Sequence, residues 1–470
     1  MRWTAPLLAL AALGGCTMEP HFERPPAAVP RVWPAGDAYP RQLEDTLPTV
    51  SYGDIFRDPN LQAIIGQALS HNQDLAQALA NVESARALYR VGRADLFPEI
   101  DAEASLTERG SADGGQTTRS YLAQARLPIW EIDLFGRLRS LSNSNFRLYL
   151  GQQAAARGTR LSLVAEVAAA YLQLAADRSV LAITRDTLRA AESSVAVTKV
   201  RLDGGIAPRT DLRQAETVLA TAQANEARAV TAIAQDRNAL ELLVGGSVAD
   251  ALLPPSIEAV EGQVRELPAG LDSAILLRRP DVAQAEYQLW AANARIGAAR
   301  AAFLPRISLT GVLGFASTAL SGLFDGGAKS WTATPQVTLP IFDGGANSGN
   351  LAYAKAQQAV YLAGYERAIQ AAFRDVADAL ARRGTIEPEL SADRQNLDAA
   401  EDSHTLVQAR YQQGIDPYLS VLDAQRTLYA AQLRLVSSRL SRVQNLVDLY
   451  RSLGGDQTLD VATDMSGMAH

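Results

Sequence analysis

The chain has 470 residues, a formal net charge of −7 with acids and bases interspersed, 47% hydrophobic residues and only 6% aromatic ones. That is length for two or three ordinary domains, without the basic face of a nucleic-acid binder. The alanine-rich, aromatic-poor balance suits long, closely packed helices better than one large globular core. One cysteine, Cys16, excludes an internal disulfide framework, and the scattered His21, His71, His404 and His470 form no zinc motif. There is no P-loop, no G-x-G-x-x-G opening a helix and no G-x-S-x-G. No catalytic, cofactor-binding or metal site is therefore expected, and no enzyme.

The N-terminus reads as a targeting segment over residues 1–15. Met1-Arg2 is a minimal positive region, and Ala5 to Leu13 is an apolar run too short to span a bilayer. Leu13-Gly14-Gly15-Cys16 resembles a bacterial lipobox, which makes Cys16 the lipidation site and the mature N-terminus. An ordinary signal peptide with an incidental cysteine is the alternative. Thr17 follows the cysteine where an inner-membrane retention signal usually has Asp, so the outer membrane is favoured. Two acyl chains give stable anchoring where one is marginal. Residues 16–60 are expected to be a lipidated N-terminal segment packing on the outside.

The rest of the chain is written twice. Asp74-Leu75-Ala76-Gln77 matches Asp281-Val282-Ala283-Gln284, and Phe97-Pro98 matches Leu304-Pro305, both at an offset of 207. Leu127-Pro128-Ile129-Trp130 matches Leu339-Pro340-Ile341-Phe342 at 212. Gly205-Ile206-Ala207-Pro208 matches Gly414-Ile415-Asp416-Pro417, and Gly245-Gly246 matches Gly454-Gly455, at 209. A period this long means one large unit duplicated, not a solenoid. Repeat 1 is assigned to 61–246, an equatorial linker to 247–271, repeat 2 to 272–455 and a tail to 456–470.

Each repeat has the same grammar. A helix (Leu61–Leu96; Asp272–Leu304) stops at a proline. Two strand-like segments follow, then a very long helix (Asp133–Leu202; Asn350–Gln413), ~100 Å at 1.5 Å per residue. After a Gly/Pro turn a second helix runs to the Gly-Gly pair. Leu174, Leu181, Leu188, Val195 and Leu202 recur every seven residues, which argues for coiled-coil packing.

The strand-like segments near 99–109, 118–130, 306–316 and 329–342 alternate apolar and polar side chains. In the last, Trp331, Ala333, Val337, Leu339 and Ile341 alternate with Ser330, Thr332, Thr334, Gln336 and Thr338. Such segments fit membrane β-barrel strands, and they fit a soluble half-buried sheet equally. The loops Gly110–Gln116 and Ser317–Ala328 are rich in Gly and Ser. Four strands cannot close a membrane barrel, whose smallest form has about eight. If they span, chains must share one barrel, and physics leaves two, three or four chains open.

Several stretches resemble the outer-membrane efflux channels, the TolC-like family, in their lipoprotein (NodT/OprM-like) branch. They are Pro20-His21-Phe22-Glu23-Arg24-Pro25, Tyr52 to Leu61, Arg278-Arg279-Pro280-Asp281-Val282, Leu339 to Gly345, and Leu422-Asp423-Ala424-Gln425-Arg426. The resemblance implies a mainly α fold with a membrane β-barrel part, in which three chains form a 12-stranded β-barrel and a 12-helix α-barrel. It implies a homotrimeric, passive channel in the outer membrane of a Gram-negative bacterium, contacting outer-membrane lipid and no nucleic acid. Its partners would be a periplasmic adaptor (membrane fusion protein) and an inner-membrane pump of the RND type, with drugs and toxic small molecules as cargo. A type I protein-secretion conduit is the alternative within transport, and a periplasmic coiled-coil structural lipoprotein the alternative outside it.

The resemblance also implies a gate at the second Gly/Pro turn. Leu419 is similar to the family's hydrophobic constriction, Asp423 to its aspartate ring, and Tyr411 and Arg426 to its latch. A latch position that is Arg in a relative is Gln412 here. Leu419, Asp423 and Arg426 fall at i, i+4 and i+7, one helix face. Copies of Asp423 around a narrow axis would repel one another or recruit a cation. The residues alone favour an exposed Asp–Arg pair worth a few tenths of a kcal/mol; it is the resemblance that favours the gate.

Overall fold

The computed structural model describes residues 17–26, 29–30, 32–39, 51–110, 112, 117–266 and 273–454. The expected signal segment, Cys16, most of the Gly110–Gln116 loop, the end of the linker and the 456–470 tail lie outside these. The main elements are α1 (Pro59–His71), α2 (Gln73–Ala94), β1 (Asp101–Arg109), β2 (Thr118–Ile132), α3 (Arg137–Asp203) and α4 (Arg209–Val244), followed by α5 (Pro280–Ala301), β3 (Arg306–Ser317), β4 (Lys329–Thr338), α6 (Ala346–Gln412) and α7 (Tyr418–Leu453). None of the described helices is long and apolar enough to cross a membrane. The chain divides into two compact units, and each draws residues from both repeats.

The first unit (1–27, 80–154, 283–367) holds the sheet. It is antiparallel throughout, in the order β1-β2-β3-β4, so the central β2–β3 pair joins the two repeats. Register makes the alternation continuous across all four strands. Glu103 opposes Gln124, Gln124 opposes Gly314 and Gly314 opposes Ser330 on one face. Ala125, Leu313 and Trp331 align on the other. The polar face is cross-linked by Gln124 Nε2 donating to Glu103 at 2.9 Å. The apolar face is bare, with Trp331 74% exposed.

The alternation read from sequence fails at one point. The register shifts between Leu127 and Trp130, so Trp130, not Ile129, pairs with Leu309. Pro128 is the cause: it has no N–H for a ladder within the sheet and is accommodated in a bulge. The shift re-aims Trp130, whose Nε1 donates to the carbonyl of Leu96 at 3.2 Å.

In the same unit the N-terminal residues lie along α3 and α5. Arg24 makes a bidentate pair with Glu286 at 2.6 and 2.9 Å. Phe22 stacks on Trp290, centroids 4.8 Å apart, and the Arg147 guanidinium sits 3.3 Å from that indole. Asn293 donates to the carbonyl of Pro20 at 2.8 Å.

The second unit (28–79, 155–282, 368–470) holds the C-terminal parts of the long helices α3 and α6. Its seams are built from small residues seven apart. From Leu181 onward the buried positions of α3 are Thr184, Ala191 and Thr198, with Leu181, Leu188, Val195 and Leu202 half-buried beside them; Leu174, before them, is fully buried. On α4 they are Ala215, Ala222 and Ala229, with Leu240 and Val244 buried near its end. Small residues at this spacing let helices approach closely.

Two helices expected to be continuous are broken, at equivalent places. Leu61–Leu96 divides at Asn72, whose Oδ1 accepts from the Leu75 N–H while its Nδ2 donates to the carbonyl of Leu243, both at 2.9 Å. In repeat 2 residues Ser273–Arg278 form a 3-10 turn, and the α-helix begins at Pro280, where a proline fits the first turn. The position equivalent to Asn72 is Arg279, which donates to the carbonyl of Ser452 at 2.9 Å and pairs with Asp281 and Asp375. Both repeats thus clasp the end of a returning helix through the side chain at the break, with different chemistry.

Also in this unit, Asp236 of α4 is half-buried beside Asp177 of α3. Burial first, and the neighbouring carboxylate second, push its pKa from the ordinary 3.8 up to about 7. Between those values the folded chain holds a proton that the unfolded chain releases, so stability falls as pH rises through that window. Asp236→Asn is expected to stabilise the protein at pH 8 by about 1 kcal/mol, after discounting for solvent screening, and progressively less toward pH 4. Thermal melts at both pH values test this; an equal shift at both would refute it.

Candidate functional site at the helix-hairpin tips

The two Gly/Pro turns close with the same hydrogen bonds. At α3–α4, Gly204 N–H donates to Val200, Gly205 to Leu202 and Ile206 to Arg201. At α6–α7, Gln413 donates to Ala409, Gly414 to Tyr411 and Ile415 to Arg410, each pair 209 residues on. Gly205 and Gly414 have φ of 69° and 75°, the left-handed conformation that ends a helix at low cost for glycine. Pro208 and Pro417 then start the return helices from extended backbone.

Side chains separate the copies. Arg410 grips Asp416 through two bonds of 2.7 and 3.0 Å, which hold the Asp416 carboxyl below its usual range. Tyr418 is buried against Ala215 and Val421, and Val195, Val407, Tyr411 and Leu422 pack around them. Its hydroxyl bonds to Ser194 Oγ at 2.7 Å, and burial pushes its pKa up. Higher on α7, Tyr429 Oη meets Thr184 Oγ1 at 3.2 Å.

Leu419, Asp423 and Arg426 come together as the spacing implied. They line one groove of about 390 Å³ with Gln214, Thr217, Val218, Leu422 and Tyr429. Asp423 and Arg426 form an exposed 2.6 Å ion pair, and Leu419 is 61% exposed. Gln214 and Thr217 are the repeat-1 counterparts of Asp423 and Arg426, so the equivalent faces of both repeats converge here. Periodicity does not reveal that, because it depends on how α4 and α7 pack.

Tyr411 is not among the residues lining this groove. Its ring tilts against Tyr418 at 5.4 Å, with the Arg201 guanidinium 4.7 Å from its centroid. Gln412 is exposed. Among the described residues no group of three or more His, Cys, Asp or Glu is placed to hold a metal. The arrangement presents apolar and charged side chains together at the hairpin ends.

A duplicated frame of long helical hairpins with a four-stranded sheet defines a channel subunit of the TolC-like class. The family model for outer membrane efflux proteins matches residues 64–246 and 271–455. The chain is 42% identical over 460 residues to the solvent efflux pump outer membrane protein SrpC of Pseudomonas putida, covering 96% of this chain and 97% of that protein. It is 41% identical over 455 residues to outer membrane protein OprJ of Pseudomonas aeruginosa, covering 96% and 95%. Among solved structures, the open state of the Neisseria gonorrhoeae MtrE outer membrane channel matches with a TM-score of 0.86 at 36% identity, covering 94% of this chain and 98% of that one. The chain belongs to the outer membrane efflux protein family: it is a transport protein of the Gram-negative outer membrane.

Proposed function

We propose that three copies form one passive conduit that takes small organic molecules from an inner-membrane pump, through a periplasmic adaptor, and releases them outside the cell. The sheet carries this reading. It has one polar and one bare apolar face, and β1 and β4 are paired on one side only. Open edges are not tolerated in lipid, so a spanning sheet of four strands needs further copies to close. Three copies give the 12-stranded barrel that the family resemblance implies. SrpC is named for solvent efflux, which favours apolar organic cargo here.

In this reading Cys16 carries the acyl chains that anchor the protein. Leu419, Asp423 and Arg426 form the resting closure of the tip, and Tyr411 its latch. Membrane-impermeant labelling of a cysteine placed in the Ser317–Ala328 loop tests the assembly. Intact cells are expected to be labelled there, in a heat-resistant trimer of the outer-membrane fraction. Palmitate incorporation is expected to vanish in Cys16→Ser. Labelling only after lysis, or a monomer outside that fraction, would overturn the conduit; palmitate that persists would overturn the anchor alone.

A further inference from the structure

The two tip turns share a backbone, yet the same arginine does different work in each. Arg410 is held inside its own turn by Asp416. Its counterpart 209 residues earlier is Arg201, and the counterpart of Asp416 is Ala207. The first turn therefore lacks the carboxylate that occupies the second arginine. A second exchange complements the first: Leu202 in repeat 1 becomes Tyr411 in repeat 2. Arg201 is half-buried and lies 4.7 Å from the Tyr411 ring centroid. That ring rests on Tyr418, whose hydroxyl bonds to Ser194 on the same helix as Arg201. A guanidinium from α3 and a ring from α6 thus meet beside a second crossing contact between α3 and α7.

We propose that Arg201 is the positioning residue that holds the two hairpin tips together, released by Ala207 to clamp Tyr411. The inference rests on reading the tip as a gate. It adds to that reading the residue on the first hairpin that the second hairpin grips, and the reason that residue is available. Opening the tip by moving α6–α7 away from α3–α4 has to break this contact, whereas the Arg410–Asp416 pair travels intact with its own turn. A cation over a part-buried ring also loses less to salt than an exposed ion pair, which suits a resting closure.

The missing carboxylate supplies the experiment. Ala207→Asp restores to the first turn the partner that Arg410 has in the second, so it is expected to recapture Arg201 and free Tyr411. Single channels in planar bilayers should then show an open-to-closed ratio raised about fivefold for each contact released. Arg201→Ala should match it, and Arg201→Lys, which keeps a cation over the ring, should restore most of the closure. Ala207→Asn should behave as wild type. Because both routes break one contact, adding Ala207→Asp to Arg201→Ala should change nothing further. Additive effects, or wild-type behaviour in Ala207→Asp and Arg201→Ala alongside a Leu419→Ala channel that opens, would overturn the role of Arg201 and leave the gate standing. If Leu419→Ala and Asp423→Ala also leave the channel unchanged, the gate reading itself falls.

Discussion

Alanine at Leu419 and Asp423 is expected to raise single-channel conductance in planar bilayers severalfold, with assembly of the proposed trimer unchanged. Within one protomer neither side chain has much to lose. Leu419 is largely exposed, and the Asp423–Arg426 pair is a solvated i,i+3 contact worth a few tenths of a kcal/mol. Helix α7 takes its packing from Tyr418 and Val421 on the opposite face. In the proposed trimer, a conductance change in these variants would therefore report on contacts between copies, where three leucines and three carboxylates would meet in a narrow opening. Removing the carboxylates should also weaken block by multivalent cations added from the tip side. Wild-type conductance in both single variants would remove the gate from these positions.

Gly245→Val is expected to cost about 3 kcal/mol or more and to lower the thermal melting temperature. Gly245 has φ of 77° and ends α4. A Cβ there would stand 2.5 Å from the backbone oxygen of His71 and 2.9 Å from its carbonyl carbon. Backbone cannot swing aside as a side chain does, so the break between α1 and α2 would have to open, taking with it the Asn72–Leu243 bond. Gly205 provides the comparison. Its φ is 69°, but a Cβ there would meet nothing within 4 Å. Gly205→Ala should therefore cost only the left-handed strain, about 1 kcal/mol. Similar losses at the two sites would show that conformation alone, and not the approach of the α1–α2 corner, makes Gly245 necessary.

Much of the architecture was legible in the sequence because it repeats. Turn chemistry at Gly205–Pro208 and Gly414–Pro417 fixed both tips, and period-two alternation located four strands to within a few residues at most ends. Breaks were harder. Asn72 looks like an ordinary helix residue until Leu243, far along the chain, is seen to receive its amide. Pro128 in a clean alternation signals a bulge, but the direction of the slip depends on β3. The gate face was legible as i, i+4, i+7 on one helix, whereas the opposing Gln214 and Thr217 were not. Arg201 was missed for a related reason. Its signal is an absence, an alanine where the other repeat has an aspartate, and that acquires meaning only once the Tyr411 ring is found beside Arg201.

In the proposed trimer, the β2–β3 pairing has a consequence for how the barrel is assembled. Each repeat contributes one hairpin, and a hairpin encoded on its own would need six copies to supply the same twelve strands. Covalent duplication turns every second seam into an intramolecular closure, at the effective concentration of a tether instead of the dilute concentration of the periplasm. Only three encounters between chains are then left to complete the ring. It also breaks the symmetry of the ring, so that one hairpin of each pair can accumulate specialised residues while its sibling keeps the frame.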